Sequence, residues 1–402
     1  MKIAIFWEQN SWGGVDTHII TLLKYWKNNN DDIHLFVNVN NLGYQRIKKD
    51  IDKISNVSVI QFSSNLIINS NEIFLIRLFK IIFRPFLFIT ESFKISKMFK
   101  SFESYDALLS QNGAYPGAWT CIAAIISAKK CNITKRIMLI HHEAMKPRYY
   151  QSLFERFIDY LLVKSATDII AVSLATRESL YTNRATFFNH PIKVIYNGIE
   201  TNNIDNLPPS GINLREKYKI DENKILIGIV GRIEKYKGHE DLISGYSLLE
   251  KYKQNQIVLL FIGSGAKEEI ERLNNLKESL KIQNNIIFSG YLEGDPRLLI
   301  KQLNLLCVLT KDFEGFGLTI GESMAIGTPV LVTKVGAIPE FVTNDVGTLI
   351  DPESPSQVYK VLDHFISNSE PYKLKATKAK EHIKKYSAER LVEDMKTVFK
   401  TS

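Results

Sequence analysis

Short apolar runs of strand length alternate with helical patterns along the whole chain. In the first half, these runs predict strands at 2–6, 33–39, 57–62, 106–110, 136–140, 167–173 and 193–198. The segment 17–29, between the first two runs, has apolar residues at helical spacing. This alternation predicts an α/β fold in which a parallel sheet is covered by helices on both faces.

The segment 199–221 breaks the pattern and predicts an interdomain linker. Its composition is that of a loop, because asparagine, proline, serine and glycine dominate from Asn202 to Gly211. The alternation then restarts, with strands predicted at 225–231, 257–263, 285–290, 303–309, 328–333 and 347–351, and helices at 239–252, 266–279 and 319–326.

We therefore expect two Rossmann-like, doubly wound domains, at 1–198 and 222–386. The last helix, within 387–402, is a candidate to pack back on the first domain. Two such domains facing one another would form a cleft, and ligands of open α/β sheets bind at the carboxyl ends of the strands.

Composition and charge narrow the class of protein. The 402 residues are 45% hydrophobic and 23% charged, which is typical of a soluble globular chain, and three cysteines provide no disulfide framework. The net charge of +8 suggests an anionic partner, but it does not distinguish nucleic acid, lipid and phosphorylated ligand. No basic aromatic stripe predicts nucleic-acid binding. No signal peptide or apolar run of membrane-spanning length is evident, so we expect a cytoplasmic protein. The cysteines and histidines lack the spacing of metal ligands, so we expect no metal site.

The densest candidate site lies from Phe313 to Leu331, in the sequence FEGFGLTIGESMAIGTPVL. Gly315 and Gly317 would form a loop immediately before a helix, whose N-terminus is suited to an anion. Glu314 would lie in the loop, at the ligand, and Glu322 about one turn into the helix, within reach of a hydroxyl-bearing part of the same ligand. The alternative is an ordinary strand–turn–helix with surface glutamates.

A second candidate is GIVGRIEKYKGHEDLI at 228–243, where a predicted strand ends at Gly231. Arg232 and Lys237 follow it, and Gly238 precedes a helix. Two cations at the carboxyl end of a strand are suited to a diphosphate. A solvated basic loop is the alternative.

Two weaker signals lie in the first half. Gly13 and Gly14 join a strand to a helix, and the sequence HHE at 141–143 follows another strand. A glycine pair is common in such turns without any ligand, and a lone histidine is more often a structural loop residue. The sequence GSGAKE at 263–268 imitates a dinucleotide fingerprint, but Glu268 occupies its third glycine position and favours a plain turn.

Together these stretches resemble the retaining glycosyltransferases of family 4, which have the GT-B fold. The resemblance covers most of the chain and is strongest from about 193 to 345. It rests on GR-x4-KG at 231–238, EGFGLTIGESMAIGTPV, GAIPEFV at 336–342, YNGIE at 196–200 and NIIFSGYL at 285–292.

The resemblance implies roles for the second-half residues. Gly231, Arg232 and Lys237 would hold the donor diphosphate, and the two cations would neutralise charge on the departing phosphate. Glu314 would contact the donor sugar, and Glu322 would bind the donor ribose.

The remaining implied site residues belong to backbone loops and to the first domain. The backbone of Phe316, Gly317 and Leu318 would cradle the phosphate and the sugar, and Gly14 would lie in an N-terminal glycine loop. His142 best matches the family's histidine near the reacting sugar, with His141 as the alternative after a one-residue shift.

The implied activity is transfer of a hexose or related sugar, with retention and without a metal, from a nucleotide-diphosphate sugar. UDP and GDP are the expected nucleotide parts of the donor. The acceptor would be a hydroxyl of a glycan or lipid-linked molecule in bacterial lipopolysaccharide, capsule or exopolysaccharide synthesis. A GT-B-fold sugar-nucleotide epimerase and a non-catalytic sugar-nucleotide-binding protein are the competing interpretations.

The most hydrophobic segment, 73–90, raises the question of membrane contact. Arg77, Lys80 and Arg84 recur within it at helical spacing, and further lysines follow to residue 100. An amphipathic basic helix can lie on an anionic membrane, which predicts contact of 73–100 with the inner face of the cytoplasmic membrane. The alternative is a helix that packs its apolar face on its own domain and exposes its basic face to water.

Overall fold

The computed structural model describes residues 1–8, 13–27, 30–68, 72–102, 104–202, 211–282 and 285–400. The chain divides into two compact units. Unit 1 comprises Met1–Gly198 together with Ala388–Ser402, and unit 2 comprises Ile199–Ser387.

Unit 1 alternates strands and helices along the chain. Its strands are β1 (Lys2–Trp7), β2 (Asp32–Asn38), β3 (Val57–Phe62), β4 (Ala107–Asn112), β5 (Lys135–Ile140), β6 (Asp168–Ala171) and β7 (Ile192–Val194). Its helices are α1 (Gly14–Tyr25), α2 (Leu42–Ile51), α3 (Phe74–Ile82), α4 (Arg84–Lys100), α5 (Trp119–Lys130), α6 (Ser152–Ser165) and α7 (Leu174–Asn183).

Unit 2 repeats this alternation. Its strands are β8 (Ile225–Val230), β9 (Ile257–Ile262), β10 (Ile286–Gly290), β11 (Leu305–Val308), β12 (Val330–Thr333) and β13 (Thr348–Ile350). Its helices are α8 (Leu214–Tyr218), α9 (His239–Ser247), α10 (Lys251–Gln254), α11 (Lys267–Ser279), α12 (Pro296–Ile300), α13 (Leu318–Ile326), α14 (Ile338–Phe341), α15 (Pro355–Ser367) and α16 (Glu370–His382).

Both sheets are parallel and doubly wound within the described part of the chain. The order of the unit 1 strands is β3-β2-β1-β4-β5-β6-β7, and that of unit 2 is β10-β9-β8-β11-β12-β13. Because helices cover both faces, both sides of each central strand are buried, and the strands read as nearly continuous apolar runs. The predicted α/β architecture is confirmed.

A final helix, α17 (Ala388–Lys400), completes the core of unit 1. Met395 and Phe399 of α17 belong to the same buried cluster as Ile3 and Ile5 of β1. The ring of Phe399 meets Trp26 edge to face at 5.3 Å, and the Lys396 ammonium donates to the Trp26 carbonyl at 2.6 Å. The apolar side of α17 therefore completes the cover of one face of the first sheet, together with α1 and α2.

The structure differs from the predicted elements in two places in unit 2. The predicted linker at 199–221 contains α8, whose Leu214 is fully buried, while 203–210 lies outside the described residues. The helix predicted over 239–252 is two helices, α9 and α10, with Leu248–Glu250 between them. In α8, Asn213 caps the helix by accepting the N–H groups of Arg215 and Glu216, a local signal that the loop-like composition concealed.

A fully buried ionic cluster lies between α6, α7 and the end of β4. The Arg184 guanidinium is 0% exposed and contacts Glu155 at 2.7 Å and Asp159 at 2.8 Å. The Tyr115 hydroxyl donates to Asp159 at 2.7 Å. Taking one partner away would leave a buried charge without compensation.

We expect Arg184→Ala to destabilise unit 1 by about 3–5 kcal/mol, because two buried carboxylates would lose their counter-ion. All four tryptophans of the chain lie within residues 1–198, so tryptophan fluorescence in urea reports on unfolding of unit 1. Arg177→Ala is the matched control, because its pair with Glu178 is exposed and should contribute less than about 1 kcal/mol. Equal effects of the two substitutions would contradict the argument.

Candidate functional site

The candidate site of unit 2 lies where the strand order reverses. β8 and β11 are neighbours, but the connection after β8 leads to β9 on one side, and the connection after β11 leads to β12 on the other. Loops that diverge in this way open a crevice at the carboxyl ends of the strands. The segments 231–238 and 309–317, both singled out in the sequence, begin at this point.

Two of the predicted site residues form an ion pair across this crevice. The Lys237 ammonium lies 2.8 Å from Oε2 of Glu314, and both side chains are mostly buried. The Thr310 hydroxyl donates to the same oxygen at 3.2 Å. The pair presents a fixed ammonium and a fixed carboxylate next to each other, and these can respectively donate to phosphate oxygens and accept from hydroxyl groups.

Close backbone approach explains the glycine that follows Lys237. Gly238 has φ of +73°, and a Cβ there would lie 2.0 Å from the Leu309 carbonyl oxygen. The start of α9 therefore lies directly against the end of β11, which holds the ion-paired loops together. Gly263, the first glycine of the sequence that imitates a dinucleotide fingerprint, has a similar explanation. A Cβ there would lie 1.8 Å from the Gly231 carbonyl oxygen.

The backbone at the N-terminus of α13 is open to a ligand. Gly317 caps the helix in the left-handed region, with φ of +90°. Phe316 is buried and stacks on Phe341 at 4.9 Å, so its ring anchors the loop. Of the predicted cradle, Gly317 and the half-buried Leu318 are accessible, and Phe316 contributes through its backbone. Free N–H groups and the helix dipole at such a terminus favour an anion.

The GAIPEFV segment supports Glu314 from behind. Gly336 has φ of +51°, and a Cβ there would lie 2.3 Å from the Glu314 carbonyl oxygen. The Ala337 N–H donates to this same oxygen at 2.8 Å. Gly336 therefore permits the contact that fixes the backbone of Glu314.

Glu322 lies one turn into α13, within a group of charged side chains. Burial, with a smaller contribution from nearby Asp295, raises the pKa of Glu322 to about 7. Arg297 contacts Asp295 at 2.6 Å and Glu200 at 3.2 Å, and it opposes this rise. Gly321 lets α13 pack closely on Ile199, since a Cβ there would lie 2.6 Å from Cδ1 of Ile199.

Arg232 occupies a more open position than Lys237. Its side chain is 46% exposed and contacts Glu234 at 3.0 Å, with the Tyr236 hydroxyl 3.5 Å away. Gly231, immediately before it, is exposed and has φ of +148°. The structure thus pairs Lys237 with Glu314, whereas it pairs Arg232 with a glutamate of its own loop.

Unit 1 has a polar cluster at the corresponding place in its own sheet, where β1 and β4 meet. Glu8 follows β1 and lies at the N-terminus of α5, where the Thr120 hydroxyl and N–H contact its carboxyl group. Burial raises the pKa of Glu8 to about 7, although the hydrogen bonds from Thr120 act in the opposite direction. Because the helix terminus favours a negative charge and burial disfavours it, this carboxyl group is poised between two protonation states.

His141 follows β5 and is buried beside the same sheet edge. Its Nε2 lies 3.1 Å from the Gln111 side-chain oxygen at the end of β4. Its ring meets His18 of α1 edge to face at 4.5 Å. Burial lowers the pKa of His18 to about 4, and burial together with His18 holds the pKa of His141 well below its ordinary value. His142, the predicted site histidine, is half-buried.

Gly14 is exposed at the first position of α1. The preceding Gly13 is the N-cap, and its N–H donates to the Asp16 carboxylate at 2.6 Å. The preceding part of the predicted glycine loop, 9–12, lies outside the described residues.

Sequence reasoning missed Glu8, His18, Thr310 and Arg297. Glu8 immediately follows the first strand, and this position was a signal that could have been used. Thr310 acts locally, on Glu314 four residues later, and its hydroxyl was not considered. His18 and Arg297 act through contacts with residues far away in the chain, for which the sequence carries no local pattern. Among the described residues, no group of three or more His, Cys, Asp or Glu side chains is arranged to hold a metal ion.

Solved structures share this architecture over the whole chain. A glycosyltransferase from Rickettsia africae ESF-5 has a TM-score of 0.77 at 20% identity, covering 99% of this chain and 97% of that chain. Anabaena Alr3699/HepE, in complex with UDP and glucose, has a TM-score of 0.74 at 17% identity, covering 100% of both chains. At these identities the likeness shows the fold alone, which is the GT-B fold of a class of glycosyltransferases.

Family models then identify the family within this class. The model described as "Glycosyltransferase Family 4" matches residues 12–203, and "Glycosyl transferases group 1" matches residues 212–398. The chain belongs to glycosyltransferase family 4, as its motifs predicted.

Curated relatives are similar over part of their length. An uncharacterized glycosyltransferase, MJ1607 of Methanocaldococcus jannaschii, is 29% identical over 60% of this chain and 62% of its own. The O-antigen biosynthesis glycosyltransferase WclY of Escherichia coli is 25% identical over 69% of this chain and 75% of its own. The chain thus spans about three fifths of the length of the archaeal relative.

We expect His18 to make unit 1 less stable in acid. The unfolded state protonates His18 near pH 6.5, but the folded state does so only near pH 4. The unfolded state therefore binds the extra proton between these values, and stability falls by about 3 kcal/mol as the pH falls through them. Wild type should lose this much relative to His18→Gln between pH 7.5 and 4, measured by tryptophan fluorescence in urea.

Glu8→Gln provides a control of opposite sign. The folded state protonates Glu8 near pH 7, whereas the unfolded state does so near 4.5. Wild type should therefore gain stability relative to Glu8→Gln as the pH falls from 7 to 4.5. Parallel pH profiles for wild type and both variants would show that neither group titrates as its burial requires.

Proposed function

We propose that this chain transfers a hexose or related sugar from a nucleotide-diphosphate sugar to a hydroxyl of a glycan or lipid-linked acceptor. The observation that supports this most strongly is the Lys237–Glu314 pair beside the glycine-capped N-terminus of α13. Cation, carboxylate and helix terminus meet at the switch point of the sheet, where open α/β folds bind ligands.

In the proposed reaction, the bond between the sugar's anomeric carbon and the diphosphate oxygen breaks. Its electron pair stays on the diphosphate, the acceptor hydroxyl oxygen bonds to the anomeric carbon, and the hydroxyl proton passes to the departing diphosphate oxygen. Lys237 and the backbone amides at the N-terminus of α13, around Gly317 and Leu318, stabilise the negative charge that develops on the diphosphate. Arg232 joins them by releasing Glu234, which its exposure permits.

The two glutamates have different roles in this proposal. Glu314, held by Lys237 and Thr310, accepts hydroxyl groups of the donor sugar. Glu322 accepts the hydroxyl groups of the donor ribose and must be ionised to accept both of them. His142 lies near the reacting sugar, and Gly14 and Gly231 allow close approach of the donor to the backbone. These roles follow the family resemblance and the local geometry of each unit.

The donor, acceptor and pathway form the finer part of the proposal. We infer a UDP- or GDP-sugar donor, retention at the anomeric carbon and charge neutralisation by the protein's own cations without a metal. The Anabaena protein was solved in complex with UDP and glucose, and WclY is named for O-antigen biosynthesis. The first supports a UDP-sugar donor, and the second supports a role in bacterial surface-polysaccharide synthesis. We place this role in the cytoplasm, with contact of 73–100 with the inner face of the membrane.

A thermal-shift screen of UDP, GDP, ADP, CDP and dTDP, with and without magnesium, tests the donor site. One diphosphate should raise the Tm without magnesium, because a ligand that binds the folded state stabilises it by mass action. Lys237→Ala should abolish the shift and, with the matching sugar donor, reduce kcat about 10²–10³-fold, as loss of one charge-stabilising donor does.

Lys235→Ala is the matched control, because this exposed lysine lies in the same helical turn as Lys237. It should leave both the shift and the rate unchanged. A folded protein that no diphosphate stabilises would contradict the proposal. Conversion of the donor sugar without an acceptor would identify an epimerase, and binding without turnover would identify a binding protein.

Nucleotide affinity should depend on the ionisation of Glu322. Because burial and Asp295 raise the pKa of Glu322 to about 7, a growing fraction is protonated as the pH falls below 7. The affinity for UDP, or for the diphosphate that the screen selects, should then weaken up to about tenfold per pH unit. Calorimetric titration from pH 6 to 8 measures this.

Glu322→Gln separates this effect from titration of the ligand's own phosphate. The variant should bind more weakly at pH 8 and retain only the pH dependence that the phosphate contributes. If wild type and variant show the same pH profile, Glu322 does not bind the ribose as a carboxylate.

A further inference from the structure

Unit 1 carries a helix that has no buried face. All nine residues of α3, each of which the structure describes, remain at least partly exposed. Seven of the nine are apolar, and Phe74 and Leu75 are each 71% exposed. A folded soluble protein normally buries such a helix, so this surface requires a partner.

The apolar surface continues from α3 onto α4 and α6. Phe86 of α4 is 64% exposed. Tyr149, just before α6, is 99% exposed, and Leu153, in its first turn, is 85% exposed. Gln151 joins the two regions, because its side chain donates to the Ile81 carbonyl at 2.5 Å and accepts from Arg84 at 3.0 Å. We name the exposed sides of 73–93 and 145–160 together the platform.

The charge of the platform is one-sided. The acidic residues within 73–102 and 145–165 are Glu91, Glu155 and Asp159, and each is 1% exposed. The exposed charges in these segments are therefore cationic, and they are Arg77, Lys94, Lys97, Lys100, Lys146, Arg148, Arg156 and Lys164.

The structure differs from the prediction that Arg77, Lys80 and Arg84 share one exposed basic face of a helix. Lys80 is directed inward, to Glu72 at 2.5 Å and the Ile67 carbonyl at 2.8 Å. Arg84 is buried on Gln151 and lies over the Trp119 ring at 5.1 Å. These two cations anchor α3 and α4 to unit 1, which leaves the aromatic and aliphatic side chains pointing outward. For α3 the alternative, in which the helix buries its apolar side on its own domain, is wrong, whereas α4 does bury Leu87 and Phe88 in the core of unit 1.

We propose that the platform docks unit 1 on an anionic lipid leaflet, with the side chains of α3, α4 and α6 in the headgroup region and the surrounding cations on the lipid phosphates. This inference deepens the membrane part of the proposed function. It adds α6 as a second contact element and assigns the direct lipid contacts to apolar residues rather than to Lys80 and Arg84. An interfacial surface of this kind combines apolar insertion with attraction to anionic lipid.

A lipid surface fits better than a second copy of the chain. A symmetric dimer through the platform would bring like charges together, because each copy contributes the same cations. In the part of the chain that the structure describes, no helix has the length and apolar character to cross a bilayer. The loop from His141 and His142 leads within three residues to exposed Met145, so the platform begins beside the polar cluster of unit 1.

Co-sedimentation with vesicles tests the platform on the full chain. Phosphatidylcholine vesicles with 30% phosphatidylglycerol should bind the protein at least tenfold more strongly than pure phosphatidylcholine in 50 mM NaCl. Raising NaCl to 500 mM should reduce this binding at least tenfold, because salt screens the exposed cations. The double substitution Phe74→Asp with Leu153→Asp should also reduce it at least tenfold.

Phe188→Asp is the matched control, because Phe188 is equally exposed (68%) in unit 1 but lies outside the platform. It should bind vesicles like wild type. Lys237→Ala should also bind vesicles normally, and the platform double variant should keep its thermal shift with the diphosphate. The membrane proposal and the donor-site proposal can therefore fail separately.

Two outcomes would overturn the docking proposal. In the first, wild type does not bind anionic vesicles in 50 mM NaCl. In the second, wild type is a dimer by analytical ultracentrifugation and the platform double variant is a monomer, which would identify a second copy as the partner.

Discussion

The reversal of strand order in each parallel sheet is the constraint on which the rest of the structure depends. At β8 and β11 the two connections leave in opposite directions, so Lys237 and Glu314 come from separate loops and still meet at 2.8 Å. At β1 and β4 the same geometry places Glu8 and Gln111 at one edge. Glycines at 238 and 336 then allow the backbone contacts that hold the unit 2 loops in place. The chemistry of each unit is located by topology and refined by close backbone packing.

Much of this could be predicted from the sequence because the signals are local. Buried parallel strands are continuous apolar runs, and a glycine before a helix marks a cap, as at Gly317. Arg297 and His18 could not be predicted, since their importance comes from partners far away in the chain. The outward face of α3 was also hidden, because periodicity shows that a helix is amphipathic but not which side is covered. Lys80 looked like a surface cation and is held inside by Glu72.

Buried ionisable groups are handled in two ways. In the Arg184 cluster the charges are retained and matched, since two carboxylates surround one guanidinium. At the sheet edge of unit 1 the opposite holds, because burial favours the neutral forms of His18 and Glu8. In unit 1 the matched cluster ties α6 to α7 in the interior, whereas Glu8 and His18 lie beside the ends of β1 and β5, Glu8 directly after β1 and His18 in contact with His141. Within this unit, paired charges therefore stabilise the scaffold, and the groups that burial holds neutral lie at the edge of the sheet.

The position of α17 has a consequence for how the chain is made. Unit 1 is closed by Met395 and Phe399, which leave the ribosome after the whole of unit 2. During synthesis the part of this sheet face that α17 covers therefore stays open, beside α1 and α2, while nearly two hundred further residues, Ile199–Ser387, are added. Domains usually fold in order as they leave the ribosome, but unit 1 cannot complete its core until α17 has been made. If translation stopped within unit 2, the truncated chain would lack α17. Its first unit would then expose apolar surface that chaperones and proteases recognise.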